Sequence, residues 1–285
     1  MNLNLSDELF TSLALLGATA VIVLAYGIRV TLKGAAHFDR VDRAGGSLLL
    51  GKGLMEVGYW FFQPLARFLV FCHVTANQIS MASLFFGFVA GVCLAFGHFG
   101  SGAAFSAISA MMDSLDGLVA RLTHSSSDAG EVLDASVDRY AEFFFLGGLC
   151  VYYREIPVLL ILTLLALMGS FMVSYSTAKA EALQIEPPRG SMRRSERAFY
   201  LTLGAALSPI TIPLFEASRD YSIAIGHPMV IALGLVAVIA NFSAMERLIA
   251  IAKAIRVRER RQRDRSEEQM AKQAIESEIT HLLHE

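Results

Sequence analysis

Long apolar runs separated by short polar turns cover most of this chain. The clearest runs occupy residues 9–28, 78–97, 156–176 and 229–250. Each has about the 20 residues that an α-helix needs to cross roughly 30 Å of hydrocarbon. With the weaker runs included, seven spans are predicted near residues 9–28, 78–98, 102–123, 133–153, 156–177, 197–215 and 227–250. The pattern therefore predicts an all-α fold, a polytopic membrane helix bundle.

A mixed segment between the first two spans has a different pattern. Residues 54–73 carry many aromatic side chains around Glu56, Gln63 and Arg67. Such a composition is typical of a helix that lies at the headgroup level of a bilayer. Pro64 is expected to kink this helix or to restart it. The predicted architecture is six core transmembrane helices, this interfacial helix and one extra N-terminal transmembrane helix.

Composition supports a membrane location. Hydrophobic residues make up 54% of the 285 residues and charged residues 18%, below the roughly 25% of an average soluble protein. The formal net charge of -2 decides little, because membrane topology follows the positions of Lys and Arg. We expect a lipid bilayer as a partner and no nucleic acid.

Lys and Arg concentrate on one side of the predicted membrane. With the amino terminus outside, Arg154 and Arg219 are the cations of the outer connections. The inner side receives the cluster at residues 179–197 and the basic tail that starts at Lys253. Cytoplasmic loops carry an excess of Lys and Arg, so the inner side is predicted to be cytosolic. We expect an integral protein of the bacterial cytoplasmic membrane.

The chain divides into four predicted regions: an extra N-terminal span (1–30), a cytosolic and interfacial segment (31–73), a membrane domain (74–252) and a charged cytosolic tail (253–285). The first span has acids ahead of it, so a removable signal peptide is not expected. The tail is too polar to span a membrane and is predicted to be soluble and partly helical. Its basic residues either bind anionic lipid or form a solvated, positive-inside flank.

Four acidic residues lie on two neighbouring predicted helices. Asp113 and Asp116 are three residues apart on one helix, and Asp134 and Asp138 are four residues apart on the next. Both spacings place side chains on one helical face. A polar turn at residues 123–128 joins the helices, so the four carboxylates are predicted to point at a common place.

Carboxylates in or beside hydrocarbon cost at least about 3 kcal/mol each on insertion scales, and four close together also repel one another. A divalent cation between them removes both penalties. Oxygen ligands favour hard ions such as Mg²⁺ or Mn²⁺. With four carboxylates, two metal ions would approach neutrality and could clamp a pyrophosphate.

Small residues and one cation accompany the acids. Gly117, Ala120 and Gly130 leave room for a bulky ligand or, alternatively, allow close helix packing. Arg121 either binds phosphate oxygens or neutralises the acids, and the two roles are compatible.

The acids and their neighbours form the string D-x-x-D-G-x-x-A-R-x8-G-x3-D-x3-D between residues 113 and 138. This string resembles the signature of the CDP-alcohol phosphotransferase (CDP-alcohol phosphatidyltransferase) family at every fixed position. The resemblance extends over residues 54–250 and implies a homodimer. It includes a segment that is similar to the family's T-P-N-x-x-T, in which this chain has Ala76 in place of proline, followed by Asn77. It implies metal ligands at Asp113, Asp116, Asp134 and Asp138, a general base at Asp138, and a CDP site formed by Asn77, Asp116, Gly117, Ala120, Arg121 and Gly130.

A second resemblance concerns the acceptor. Residues 174–181 and the basic cluster after them look like segments of family members that accept phosphorylated polyols. Thr177 departs from the relatives that use inositol phosphate, which tend to have a cation there. Positive-inside bias is the other explanation for this basic loop. The implied acceptor-binding residues are Ser174, Lys179, Arg194, Arg197 and Arg247.

The resemblance implies a phospholipid-synthesising transferase that moves a phosphatidyl group from CDP-diacylglycerol to a hydroxyl acceptor and releases CMP. A polyol phosphate, either glycerol phosphate or inositol phosphate, is the expected acceptor. One alternative is a CDP-choline or CDP-ethanolamine phosphotransferase that acts on diacylglycerol. Another is a non-catalytic protein whose acids line a pathway for divalent cations.

Overall fold

The computed structural model describes residues 5–34, 52–186, 192–216 and 227–284, and all regular structure within these ranges is helical. This confirms the predicted all-α class. The helices are α1 (Leu5–Lys33), α2 (Lys52–Phe71), α3 (Ala76–Ala95), α4 (Phe99–Leu122), α5 (Asp128–Tyr152), α6 (Pro157–Ala182), α7 (Arg194–Glu216) and α8 (Pro228–His284). Three cations that the predicted topology places in connections, Arg40 and Arg43 on the inner side and Arg219 on the outer side, lie outside the described residues.

Among the described residues, five helices are long and apolar enough to cross a membrane: α1, α3, α4, α6 and the Pro228–Met270 part of α8. The first half of α5 contains Asp134 and Asp138, two of the four acids of the predicted site, so its composition differs from that of a lipid-facing span. The number of spans and the four regional boundaries stay predictions. The charged tail continues α8 as one helix to His284.

Very close backbone approaches hold the bundle together. The Gly91 backbone on α3 lies so near Gly148 on α5 that a Cβ at Gly148 would overlap it. On α6, a Cβ at Gly169 would lie 2.5 Å from the Asn241 side chain of α8. Small residues allow this approach because van der Waals packing, rather than hydrophobic burial, drives helix association in lipid.

The helices from α3 to α8 alternate in direction and define two ends of the bundle. We call the end where α4 ends and α5 begins the site end, and the opposite end the far end. Glu8 of α1 contacts Gly100 at the start of α4, at the far end. The Tyr26 hydroxyl donates to Glu56 of α2, 3.0 Å away, near the site end. The extra helix α1 therefore runs along the bundle from the far end to α2.

The interfacial segment forms one helix, α2. It continues through Pro64, so the expected restart at this residue does not occur. Its buried Ala66 packs with Leu115 and Val119 of α4, which attaches α2 beside the last turns of the helix that carries two of the acids.

Candidate metal centre

Three of the four predicted acids meet at the site end. Asp113 and Asp116 of α4 and Asp134 of α5 each offer a carboxylate oxygen, and these oxygens all lie within 4.8 Å of one another. The tight turn between α4 and α5 makes this possible. Ser127 caps α5, and its hydroxyl accepts a hydrogen bond from the Gly130 amide at 3.1 Å. The predicted convergence of acids from two helices is confirmed for these three residues.

The fourth acid, Asp138, joins the group through Arg194 of α7. The Arg194 Nη2 atom lies 2.5 Å from Asp138 Oδ1. The same guanidinium donates to both carboxylate oxygens of Asp113 at 3.1 to 3.4 Å. Arg194 thus bridges an acid of α4 and an acid of α5, whereas the sequence assigned it to the acceptor.

Ser80 of α3 is a site residue that sequence reasoning missed. Its hydroxyl lies 2.6 Å from Asp116 Oδ2, and the amide of Gly117 donates to the other oxygen of Asp116 at 2.6 Å. These two donors fix the orientation of a carboxylate that is only 4% exposed. The available signal was the position of Ser80 at the end of the segment that resembles T-P-N-x-x-T.

The donor set fits a hard divalent cation. The three clustered ligands are carboxylate oxygens, which suit Mg²⁺ or Mn²⁺ better than softer metals. Asp116 and Asp138 are buried, and burial of uncompensated negative charge is strongly unfavourable. Asp113, Asp116 and Asp134 could therefore hold a divalent ion, while a second ion that includes Asp138 stays a prediction.

Gly117 makes room for Arg121 one turn further along α4. A Cβ added at Gly117 would lie 3.1 Å from the Arg121 Nη1 atom. A larger residue at position 117 would have to displace the Arg121 guanidinium, so the two positions are in direct contact. Ala120, also on this last part of α4, is half-buried.

Gly130 and Asn77 lie at the starts of α5 and α3. A Cβ at Gly130 would have only the Ser127 hydroxyl within 4 Å, so the space beyond it is open. Asn77 is exposed, and the cap of α3 is Thr75, in a capping box with Gln78. Both positions are accessible to a ligand at the site end.

Two arginines assigned to the acceptor are buried. Arg197 of α7 is fully buried and forms a forked pair with Glu142 of α5, with Nε at 2.8 Å and Nη2 at 3.2 Å. Arg247 of α8 donates from Nη1 to the Thr177 hydroxyl at 2.7 Å. Among the described residues, Arg197 Nη1 and Arg247 Nε have no hydrogen-bond partner. Each arginine therefore keeps one nitrogen for another anion.

The other two acceptor candidates differ in their surroundings. Ser174 of α6 accepts a hydrogen bond from Arg139 and donates to the Ser170 carbonyl at 3.1 Å. Lys179 is exposed near the end of the same helix. Sequence reasoning missed Arg139 and Glu142, because their roles depend on partners from α6 and α7.

The fold and this site define a class of protein: an integral membrane enzyme with a carboxylate metal centre at one end of a helical bundle. The match to a family model identifies the class further. Residues 73–240 match the model for CDP-alcohol phosphatidyltransferase, which is well over half of the chain. The chain belongs to the CDP-alcohol phosphatidyltransferase family and is a metal-dependent transferase of phospholipid synthesis.

Curated relatives and solved structures agree with this assignment. The phosphatidylinositol phosphate synthase of Corynebacterium glutamicum is 30% identical over 158 residues, which cover 53% of this chain and 71% of the relative. The archaetidylinositol phosphate synthase of Methanothermobacter thermautotrophicus is 31% identical over 155 residues, 54% of this chain and 76% of the relative.

Two structures of the Mycobacterium tuberculosis phosphatidylinositol phosphate synthase share the fold. The structure with CDP-DAG bound has a TM-score of 0.57 and 24% identity, and the alignment covers 67% of this chain and 92% of that one. The complex with manganese and citrate has a TM-score of 0.58 and 24% identity, with coverage of 67% and 88%.

Proposed function

We propose that this protein transfers a phosphatidyl group from CDP-diacylglycerol to the hydroxyl of a phosphorylated polyol, such as glycerol phosphate or inositol phosphate, and releases CMP. The observation that carries the proposal is the pair of buried guanidinium nitrogens, Arg197 Nη1 and Arg247 Nε, that lack an acceptor among the described residues. The names of the curated relatives support the same acceptor class.

A phosphate group suits these nitrogens because it offers several charged oxygens to planar guanidinium donors. A buried donor without a partner costs about 1 to 3 kcal/mol, so a site with two of them favours an anionic ligand. A choline or ethanolamine group would instead require carboxylate or aromatic surroundings to hold its positive charge.

Asp138 is the proposed general base. It lies one turn from Asp134 on α5, buried at the site end, where an acceptor hydroxyl could reach its carboxylate. Taking the proton from that hydroxyl makes the oxygen a better nucleophile toward the phosphorus next to the lipid. The P–O bond to CMP then breaks, and CMP leaves with the electron pair.

Asp113, Asp116 and Asp134 would hold Mg²⁺ or Mn²⁺, which would supply electrostatic stabilisation to the diphosphate and the departing CMP. The open surface beside Gly130 and the Gly117–Arg121 pair are the proposed CDP contacts, together with Asn77 and Ala120. Arg194 pairs with Asp113 and Asp138 and so compensates their charge before substrates bind. We expect the same guanidinium to contact the acceptor phosphate when the acceptor is bound.

The site end is proposed to face the cytosol, and the protein is proposed to form a homodimer in a bacterial cytoplasmic membrane. Lys33 ends α1 and Lys179 lies near the end of α6, both at the site end. Arg154 lies at the far end, after α5. This distribution follows the positive-inside rule.

CMP release by purified protein in detergent tests the function. We expect release from CDP-diacylglycerol with Mn²⁺ and a phosphorylated polyol, little with free inositol or serine, and none with the folded Asp138→Asn variant. Turnover by Asp138→Asn would refute the base assignment. Metal flux into liposomes, with no CMP from any acceptor, would instead favour a cation pathway.

A further inference from the structure

Glu142 is a buried carboxylate that the proposed chemistry does not use. It lies one turn beyond Asp138 on α5, so Asp134, Asp138 and Glu142 follow one another along the same helical stripe. Its side chain is only 9% exposed. Glu142 is paired with two arginines, Arg197 and Arg139.

A crevice between α5 and α7 gives this pairing its importance. Ala141, Glu142 and Phe145 of α5 line one side, and Arg194 and Ala198 of α7 line another. Contacts to other helices support both walls, α5 on α3 and α6, and α7 on α4 and α8. The Arg197–Glu142 pair crosses between them. It therefore links the helix that carries the base to the helix that carries acceptor arginines.

The geometry of the pair determines which nitrogen of Arg197 is available. Glu142 accepts from Nε and Nη2, on one edge of the guanidinium, so Nη1 is left without a partner among the described residues. Glu142 also lies 3.7 Å from Arg139, the neighbour of Asp138.

We propose that Glu142 is a positioning residue that holds Arg197 so that its Nη1 atom is available to the acceptor phosphate. This inference rests on the proposed function for the identity of the acceptor. It assigns Glu142 no contact with substrate. Its effect on the acceptor passes through Arg197, with which it forms two hydrogen bonds.

The test compares Glu142→Gln, Glu142→Asp, Arg197→Gln and the double variant Glu142→Gln/Arg197→Gln, all in detergent. For Glu142→Gln we expect the acceptor KM to rise at least about tenfold, because the charged hydrogen bonds that hold Arg197 in place would be weakened. The KM for CDP-diacylglycerol and the affinity for Mn²⁺ should change less than about twofold, because Asp113, Asp116 and Asp134 keep their places.

Three results would support positioning over a merely structural buried pair. Glu142→Asp, which keeps the charge, should have an acceptor KM between that of Glu142→Gln and that of the wild type. The double variant should be no worse in acceptor KM than Arg197→Gln alone, because residues that act through one contact are not additive. Glu155→Gln, at the exposed far-end pair with Arg154, is the matched control and should behave as wild type.

Equal losses in donor KM, acceptor KM and Mn²⁺ affinity would overturn the inference, as would full additivity in the double variant. Calorimetric binding of glycerol phosphate requires no turnover and separates this inference from the proposed function. Wild-type protein that binds no phosphorylated polyol, yet releases CMP with another acceptor, overturns both. Glu142→Gln that binds glycerol phosphate as wild type does overturns the Glu142 inference alone.

Discussion

A single buried acid at the far end of the bundle and the four aspartates at the site end differ in how their charge is compensated. The Glu8 carboxylate at the far end has four hydrogen-bond partners. They are the Gly100 and Ser101 amides at 2.7 and 3.1 Å, the Ser101 hydroxyl at 2.7 Å and the His98 ring at 3.0 Å. At the site end, Arg194 pairs with two of the four aspartates, Asp113 and Asp138.

The difference separates a structural acid from a functional one. Glu8 lies at the N-terminus of α4, where free amides and the helix dipole favour a carboxylate. Its charge is compensated by the protein itself, and its role is to attach α1 to the bundle. The site-end acids lie close to one another, and one arginine is shared between two of them. Their negative charge is therefore only partly compensated by the protein, which favours a bound cation. Buried acids in membrane proteins mark ligand sites when the surrounding protein leaves their charge uncompensated.

Asp116→Asn should have the largest effect and would test the functional side of the comparison. Loss of one ligand charge from the cluster should lower CMP release by about 10³-fold, in line with the loss of one preorganised electrostatic contact. Mn²⁺ binding, followed by electron paramagnetic resonance, should weaken in parallel. Wild-type Mn²⁺ affinity in this variant would show that the cluster is not the metal centre.

Ser80→Ala removes the hydroxyl that orients Asp116. A partner that supports a metal ligand typically contributes about 10 to 100-fold in affinity or activity, so we expect Mn²⁺ affinity to fall in that range. The melting temperature should change little. An unchanged affinity would mean that the Gly117 amide alone is sufficient to hold Asp116.

Glu8→Gln keeps the shape of the side chain and removes its charge. Charge-assisted hydrogen bonds at a helix N-terminus would be weakened, and we expect a loss of about 1 to 3 kcal/mol in the free energy of unfolding. Thermal unfolding in detergent measures this loss, and turnover below the transition should stay close to wild type. A folded variant without turnover would contradict the structural role.

Ser101→Ala is the matched control for Ser80→Ala, because each removes a serine hydroxyl near a buried carboxylate. Glu8 retains the two amides in this variant, so the expected loss is about 1 kcal/mol in stability. Mn²⁺ affinity should not change. If Ser101→Ala weakened metal binding as much as Ser80→Ala, the two ends of the bundle would not be independent.

Local pattern was sufficient to predict the helices and part of the site. The spacing of Asp113 and Asp116 placed both on one face of α4, and the short polar turn brought Asp134 within reach. The cap of α3 is a detail of another kind: Thr75 occupies it, in a capping box with Gln78. A cap depends on the backbone angles of one residue, which composition does not specify.

The sequence by itself determined the helical class, the membrane character and the convergence of Asp113, Asp116 and Asp134, because these depend on the 3.6-residue period and on residues within one helical hairpin. Only the tertiary structure decided which partners complete the site. Ser80 reaches Asp116 across 36 residues, Arg197 reaches Glu142 across 55, and Arg194 reaches Asp113 across 81. Such contacts depend on how α3, α5 and α7 pack around α4, and no periodicity within one helix encodes that arrangement.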